Sequence, residues 1–235
     1  MKYKQLIFDV DDTLIDFAAT EDSSLHALFK SHKLPLSSDL QKQYHTYNQG
    51  LWRRLELGEI TYEELSEMTF HDFIKEHFSL EVDGNEWMNE YRSYFGEAHQ
   101  LLPGVEDTLK FAKKQGYKLT VLSNGEKFMQ RHRLELAGIK DYFDLIVTSE
   151  EAHYSKPNPH AFDYFFSRTE IGPNETLFFG DGLQSDILGA EKYGFDSIWY
   201  NHRHRKDNIG LHPLFEVETY PEFVKLMQND FKKVY

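Results

Sequence analysis

The spacing of hydrophobic and polar positions changes twice along this chain. Within Gln5 to Val10, Leu6-Ile7-Phe8 is a short apolar run, the texture of a short strand buried on both faces. From Thr20 to about Glu97 apolar residues instead recur at intervals of three and four, as in Leu25, Leu28 and Phe29 or Phe70, Phe73, Ile74 and Phe78. That period predicts helices over 21–32, 38–57, 61–78 and 84–96, the third opened by a capping box between Thr61 and Glu64. After Leu102-Pro103-Gly104 the pattern alternates. Helices over 104–115, 126–137, 158–169 and 184–193 are each followed by a short apolar strand: Tyr117 to Leu122, Leu145 to Val147, Leu177 to Phe179 and Ser197 to Tyr200. Gly116, Gly138 and Gly194 stand where three of these helices should stop.

Apolar strands that alternate with helices imply a parallel sheet covered on both faces. The expected fold class is therefore α/β, a doubly wound, Rossmann-like parallel sheet. Its first strand is separated from the second by the helical stretch, which reads as an inserted all-helical cap domain over 17–97. Residues 1–16 and 98–235 form the α/β core domain. An insertion beginning at a strand end is expected to act as a lid, with a stabilising appendage as the plainer alternative.

Composition narrows the functions available. The chain has 235 residues, 40% hydrophobic and 15% aromatic, which is globular rather than disordered. A formal charge of -13 argues against polymeric nucleic acid or an anionic membrane as partner, since both need a basic footprint. Cysteine is absent, which removes disulfides, thiolate metal sites and thiol catalysis. The amino terminus meets an acid after three apolar residues and does not read as a secretory signal, so a cytoplasmic location is expected.

The candidate chemistry sits where strands end. Leu6-Ile7-Phe8 runs into Asp9-Val10-Asp11-Asp12-Thr13, three acids in four positions. Crowded carboxylates raise one another's pKa unless a cation lies among them. Asp9 and Asp11 are expected to aim at one point while Asp12 turns aside. Ser123-Asn124-Gly125 offers a hydroxyl and backbone amides leading into a helix, an arrangement suited to an anion. Lys156 lies between turn-forming residues, and Gly180-Asp181 is followed by Asp186 at a helix start. Singly, each has a plainer reading: strand end, helix cap, solvated lysine, dipole partner. Together, Asp9, Asp11, Asp181, Asp186 and Lys156 carry a formal -3, and a phosphate ester would add nearly two more negative charges, so a hard divalent cation is called for. Mg2+ is the expected ion, with Mn2+ the alternative.

The order Asp9-x-Asp11-x-Thr13, Ser123, Lys156, Gly180-Asp181-x4-Asp186 resembles the haloacid dehalogenase superfamily of phosphohydrolases over nearly the whole chain. The resemblance implies that Asp9 attacks phosphorus and carries an aspartyl-phosphate. Asp11 would protonate the leaving oxygen and later deprotonate water. Ser123 and the amide of Asn124 would hold phosphoryl oxygens, and Lys156 would offset charge. The metal would be held by Asp9, the main-chain carbonyl of Asp11 and Asp181, with Asp186 nearby. Asp11 speaks against dehalogenation, because the superfamily's dehalogenases lack that second acid.

Further stretches are similar to the YjjG/YfnB-like branch of pyrimidine 5'-nucleotidases: Leu51-Trp52, Gly58-Glu59-Ile60-Thr61, Arg133-Leu134-Glu135, Asp141 to Asp144, Ser149-Glu150-Glu151 and Ser185 to Gly189, with Gly182 and Ala190 as small departures. That implies an Mg2+-dependent phosphatase for nucleoside 5'-monophosphates. The alternatives are a phosphatase of another small ester such as phosphoglycolate or a sugar phosphate, then a phosphosugar mutase or a non-catalytic binding module. Phe17, Tyr47 and Trp52 could stack on a base, although such aromatics more often belong to a core. Asn201 to Arg205 reads as a solvated basic loop, with contact to an anionic substrate as the alternative.

Overall fold

In the computed structural model, residues 2–56, 59–207 and 209–232 are described. The chain divides into two compact units, residues 1–17 with 99–235, and residues 18–98. In chain order the elements are β1 (Gln5–Phe8), α1 (Phe17–Ser31), α2 (Ser38–Glu56), α3 (Tyr62–Phe78), α4 (Gly84–Glu97), α5 (Val105–Lys114), β2 (Lys118–Ser123) and α6 (Lys127–Leu136). There follow β3 (Leu145–Thr148), α7 (Ser149–Ala152), α8 (Pro159–Phe166), β4 (Thr176–Gly180), α9 (Leu188–Tyr193), β5 (Asp196–Tyr200), β6 (Phe215–Val217) and α10 (Tyr220–Gln228). Helices and strands thus fall where the periodicity put them, to within a few residues. Gly58 and the expected helix end at Leu57 lie outside the described residues.

The first unit holds a six-stranded sheet in the order β3-β2-β1-β4-β5-β6, with every neighbouring pair parallel. Alternation along β1 shows why both faces must be covered. Leu6 and Phe8 enter one buried cluster with Val105 and Leu109 of α5 and Phe223 of α10. Ile7 points the opposite way, into a second cluster with Phe162 and Phe165 of α8. The chain progresses outward from β1 to β3 on one side and from β4 to β6 on the other. The direction of winding reverses between β1 and β4, and at such a reversal the loops leave a crevice beyond the strands' carboxyl ends.

The second unit contains α2, α3, α4 and nearly all of α1, packed around Leu25, Phe29, Tyr44, Phe70, Phe73, Trp87 and Tyr91. The capping box holds as expected: Thr61 Oγ1 accepts from Glu64 N, and Glu64 Oε2 accepts from Thr61 N. Tyr47 belongs to this core, its ring 5.8 Å from that of Phe73, whereas Trp52 is exposed.

Three differences from expectation have local causes. Helix α1 starts at Phe17 rather than residue 21, because the Asp12 carboxylate caps the Phe17 amide from five residues upstream. Strand β1 stops at Phe8 rather than Val10, because the Val10 carbonyl accepts the amides of Thr13, Leu14 and Ile15 and folds the chain into a turn. The helix expected over 184–193 opens as a single wide π-turn over Leu183–Ile187.

Candidate active site

The winding reversal between β1 and β4 places the two acidic strand ends side by side. Asp9 N still donates to Phe179 O at 3.1 Å, extending the ladder by one residue, so Asp9 leaves the sheet in register with Gly180-Asp181. Thr13 then ties the two ends together. Its Oγ1 accepts from Asp181 N at 3.1 Å, while its carbonyl accepts from the buried Tyr220 hydroxyl. Asp186 is returned to the same place by the π-turn. The Gly182 carbonyl accepts the amides of both Asp186 and Ile187, and the Asp186 carboxylate accepts from Gly182 N at 2.9 Å. A Cβ on Gly180 would fall 2.3 Å from Asp186 Oδ2, so this approach needs glycine there.

Asp9, Asp181 and Asp186 consequently present carboxylate oxygens that all lie within 4.8 Å of one another. Opposite them, the buried Lys156 Nζ donates to Asp9 Oδ1 at 2.6 Å and to Asp186 Oδ1 at 2.7 Å. Asn124 holds the lysine loop, its side chain donating to Lys156 O and accepting from Lys156 N. Burial pushes the Asp9 carboxyl up to about 7, helped by Asp186 and Asp11 and opposed by Lys156. Asp181 is also raised, first by burial and then by Asp186 and Asp9. For Lys156, burial favours the neutral amine, but Asp186 and Asp9 outweigh it and keep the ammonium. Three converging carboxylates with too little positive charge suit a hard, oxygen-seeking divalent cation.

The site residues expected from sequence are not all aimed at that point. Asp11 was expected to converge with Asp9, but its carboxylate turns to α6: Oδ1 accepts from Arg133 Nη1 at 2.7 Å and Oδ2 from Gln130 Nε2 at 2.6 Å. Asp12 does turn aside, and a left-handed backbone (φ 55°) carries it there. Ser123 ends β2 as expected, and its hydroxyl accepts from Gly125 N and Gln130 Nε2.

In the basic loop Asn201 to Arg205, Arg203 and Arg205 are exposed as expected but are also ion-paired, whereas Asn201 is buried. Arg203 Nη2 lies 2.6 Å from Asp12 Oδ1, and Arg205 Nη1 lies 3.2 Å from Asp181 Oδ2. The buried Asn201 shapes the loop by exchanging hydrogen bonds with the Arg205 main chain, so both guanidiniums face the acids at the strand ends. Excess negative charge at one end of the sheet is the physical reason. Gln130 was also missed. The available signal was its position with Arg133 and Leu134 on the face of α6 that spacing assigns to the core, where a glutamine and an arginine need partners.

The sequence profile of the haloacid dehalogenase-like hydrolases matches residues 3–194. The chain belongs to that family. It is 32% identical to the pyrimidine 5'-nucleotidase PynA of Streptococcus pneumoniae, the match covering 98% of this chain and 97% of PynA. It is 30% identical to the pyrimidine 5'-nucleotidase YjjG of Escherichia coli, covering 97% and 99% of the two chains. Among solved structures, the magnesium-bound HAD-hydrolase YfnB of Bacillus subtilis superposes with a TM-score of 0.91 at 34% identity, over 97% of this chain and 99% of that one. Among the described residues no helix is long and apolar enough to cross a membrane.

Proposed function

We propose that this chain is a Mg2+-dependent phosphatase of nucleoside 5'-monophosphates, pyrimidine nucleotides above all, acting through an aspartyl-phosphate on Asp9. The observation that carries the reading is the meeting of Asp9, Asp181 and Asp186 around one point with Lys156 against Asp9. The names of PynA and YjjG support the choice of substrate. Magnesium would be held by Asp9, Asp181 and Asp186 with the Asp11 carbonyl, and when bound it would draw charge from the phosphoryl oxygens.

The roles proposed for the chain's own groups are those that the resemblance to the family implies. A carboxylate oxygen of Asp9 forms a bond to phosphorus as the bond from phosphorus to the ester oxygen breaks. The departing alkoxide takes its proton from Asp11, two residues further on. A water oxygen then attacks phosphorus, Asp11 takes the proton, and the Asp9 carboxylate is released with inorganic phosphate. Ser123 and the Asn124 amide hold phosphoryl oxygens, and Lys156 stabilises negative charge on both nucleophile and phosphoryl group. Substrate choice resides in the helical unit of residues 18–98.

The test is phosphate release from nucleotides, sugar phosphates and phosphoglycolate, with and without Mg2+ or Mn2+, for wild type and Asp9→Asn. The proposal expects Mg2+-dependent release, greatest with pyrimidine nucleotides and absent in the variant. Release from no ester would leave a binding module, and an isomeric sugar phosphate as product would indicate a mutase.

A further inference from the structure

Helix α6 carries a charged group that the reaction above does not use. Arg133 is fully buried, although a guanidinium keeps its charge in a protein and is costly to bury unless paired. Its Nη1 donates to Asp11 Oδ1 at 2.7 Å and to Gln130 Oε1 at 3.1 Å. Gln130, one turn earlier on the same helix face, sends Nε2 to Asp11 Oδ2 at 2.6 Å and to Ser123 Oγ at 2.9 Å. The amide can be oriented only this way, because the reverse would set its oxygen against a carboxylate and its NH2 against a guanidinium. Each oxygen of Asp11 is thus held by a separate donor, which fixes the plane and direction of the carboxylate. Gly125 leaves the room this requires, since a Cβ there would lie 2.3 Å from Gln130 Nε2.

We infer that Arg133 and Gln130 are positioning residues, which set the Asp11 carboxylate for proton transfer to the leaving group and link it to the phosphate-holding hydroxyl of Ser123. The inference rests on the phosphatase reading and deepens it. One amide nitrogen joins the two groups, the Asp11 carboxylate and the Ser123 hydroxyl, to which the reading above gives separate roles at one phosphoryl group. The pair also lies on the helix that follows Ser123 directly, so one rigid element fixes both.

Leaving groups separate positioning from folding. An alkoxide needs a proton as it departs, whereas p-nitrophenolate does not. Only steps up to that departure enter kcat/KM when departure is irreversible, so the later use of Asp11 as base does not obscure the comparison. For Arg133→Met, kcat/KM on uridine 5'-monophosphate is expected to fall on the order of 100-fold, the range of a positioned general acid. On p-nitrophenyl phosphate it should change less than about threefold, because no proton is required there. Arg133→Lys should recover part of the loss, and Gln130→Met, which also frees the Ser123 hydroxyl that both esters use, should lose on both but clearly more on uridine 5'-monophosphate. Thermal melting accompanies each variant. If Arg133→Met does not fold, the split in Gln130→Met and Arg133→Lys decides. Equal losses on both esters, or no loss on either, would overturn the inference while leaving the phosphatase reading intact. Wild type inactive on both esters would overturn that reading instead.

Discussion

Replacing Asp9 by asparagine should stabilise the chelator-treated protein at the same time as it ends turnover. Three carboxylates converge within 4.8 Å, and Lys156 contacts two of them. Burial raises the Asp9 carboxyl from 3.8 to about 7. In that window the folded chain binds a proton that the unfolded chain has already lost. The stability associated with this group is therefore complete below about pH 4 and is lost as pH rises through about 7. At about 1.4 kcal/mol per pKa unit, the ceiling is about 4 kcal/mol at pH 8. The net effect is smaller, since the amide gives Lys156 a weaker partner and leaves it Asp186 alone; about 2 kcal/mol is expected. For a chain of this size that is a rise in Tm of roughly 4–8 °C. The assay is thermal melting of wild type and Asp9→Asn in chelator at pH 4 and pH 8, then with Mg2+. The gain should appear at pH 8 and vanish at pH 4, and most of the Mg2+-induced rise seen in wild type should be lost in the variant. An asparagine variant that melts no higher than wild type at pH 8, or gains as much at pH 4, would refute the electrostatic account.

Other expectations are independent of that one. Lys156→Met should destabilise the chelated protein by about 3–5 kcal/mol at pH 8, because two buried carboxylates lose their cation; urea unfolding reads this, and a loss under about 1 kcal/mol would contradict it. Arg205→Gln should tighten Mg2+ binding by up to about fivefold in titration calorimetry, since a partly exposed cation beside Asp181 competes with the metal; weaker binding would show that the arginine assists instead. Thr61→Ala should cost about 1 kcal/mol through loss of the capping box, with turnover per folded molecule unchanged. Changing Trp52 to alanine should reduce activity on nucleotides more than on acetyl phosphate, and equal losses would mark the residue as structural.

What the sequence disclosed depended on whether a signal was local. Helix stops at Gly116, Gly138 and Gly194 and the apolar strands between them were legible because each is set within a few residues. The start of α1 was not, because its cap comes from Asp12, outside the helical pattern. β6 and α10 were passed over: β6 has only three residues, and the irregular stretch after Asn201 hides it. At the site, Asp9 and Asp181 were identifiable from their places at strand ends and Asp186 and Lys156 from the loops that follow, and the fold brings them together. Asp11 was read as a neighbour of Asp9 in direction as well as sequence. Its direction is set by Gln130 and Arg133, more than a hundred residues away, and only tertiary structure joins them. The ion pairs of the exposed Arg203 and Arg205 were not legible, because their partners, Asp12 and Asp181, come from distant turns.

Where the helical insertion leaves and rejoins the sheet domain, the chain is zipped to itself. Asp16 N donates to Gln100 O, Leu102 N donates to Leu14 O, and Ile15 bridges Leu101 in antiparallel fashion. Departure and return are thus fastened to each other within the first unit before residue 18 is reached, so the insertion starts and ends on one closed stem. Loop-closure cost grows only slowly with length, and a graft on such a stem can be shortened, lengthened or exchanged with little strain below it. A single hydrolytic base could in this way carry different selectivity heads, and trimming residues 18–98 to a tight turn should leave a folded domain that still takes up phosphoryl groups from the smallest donors.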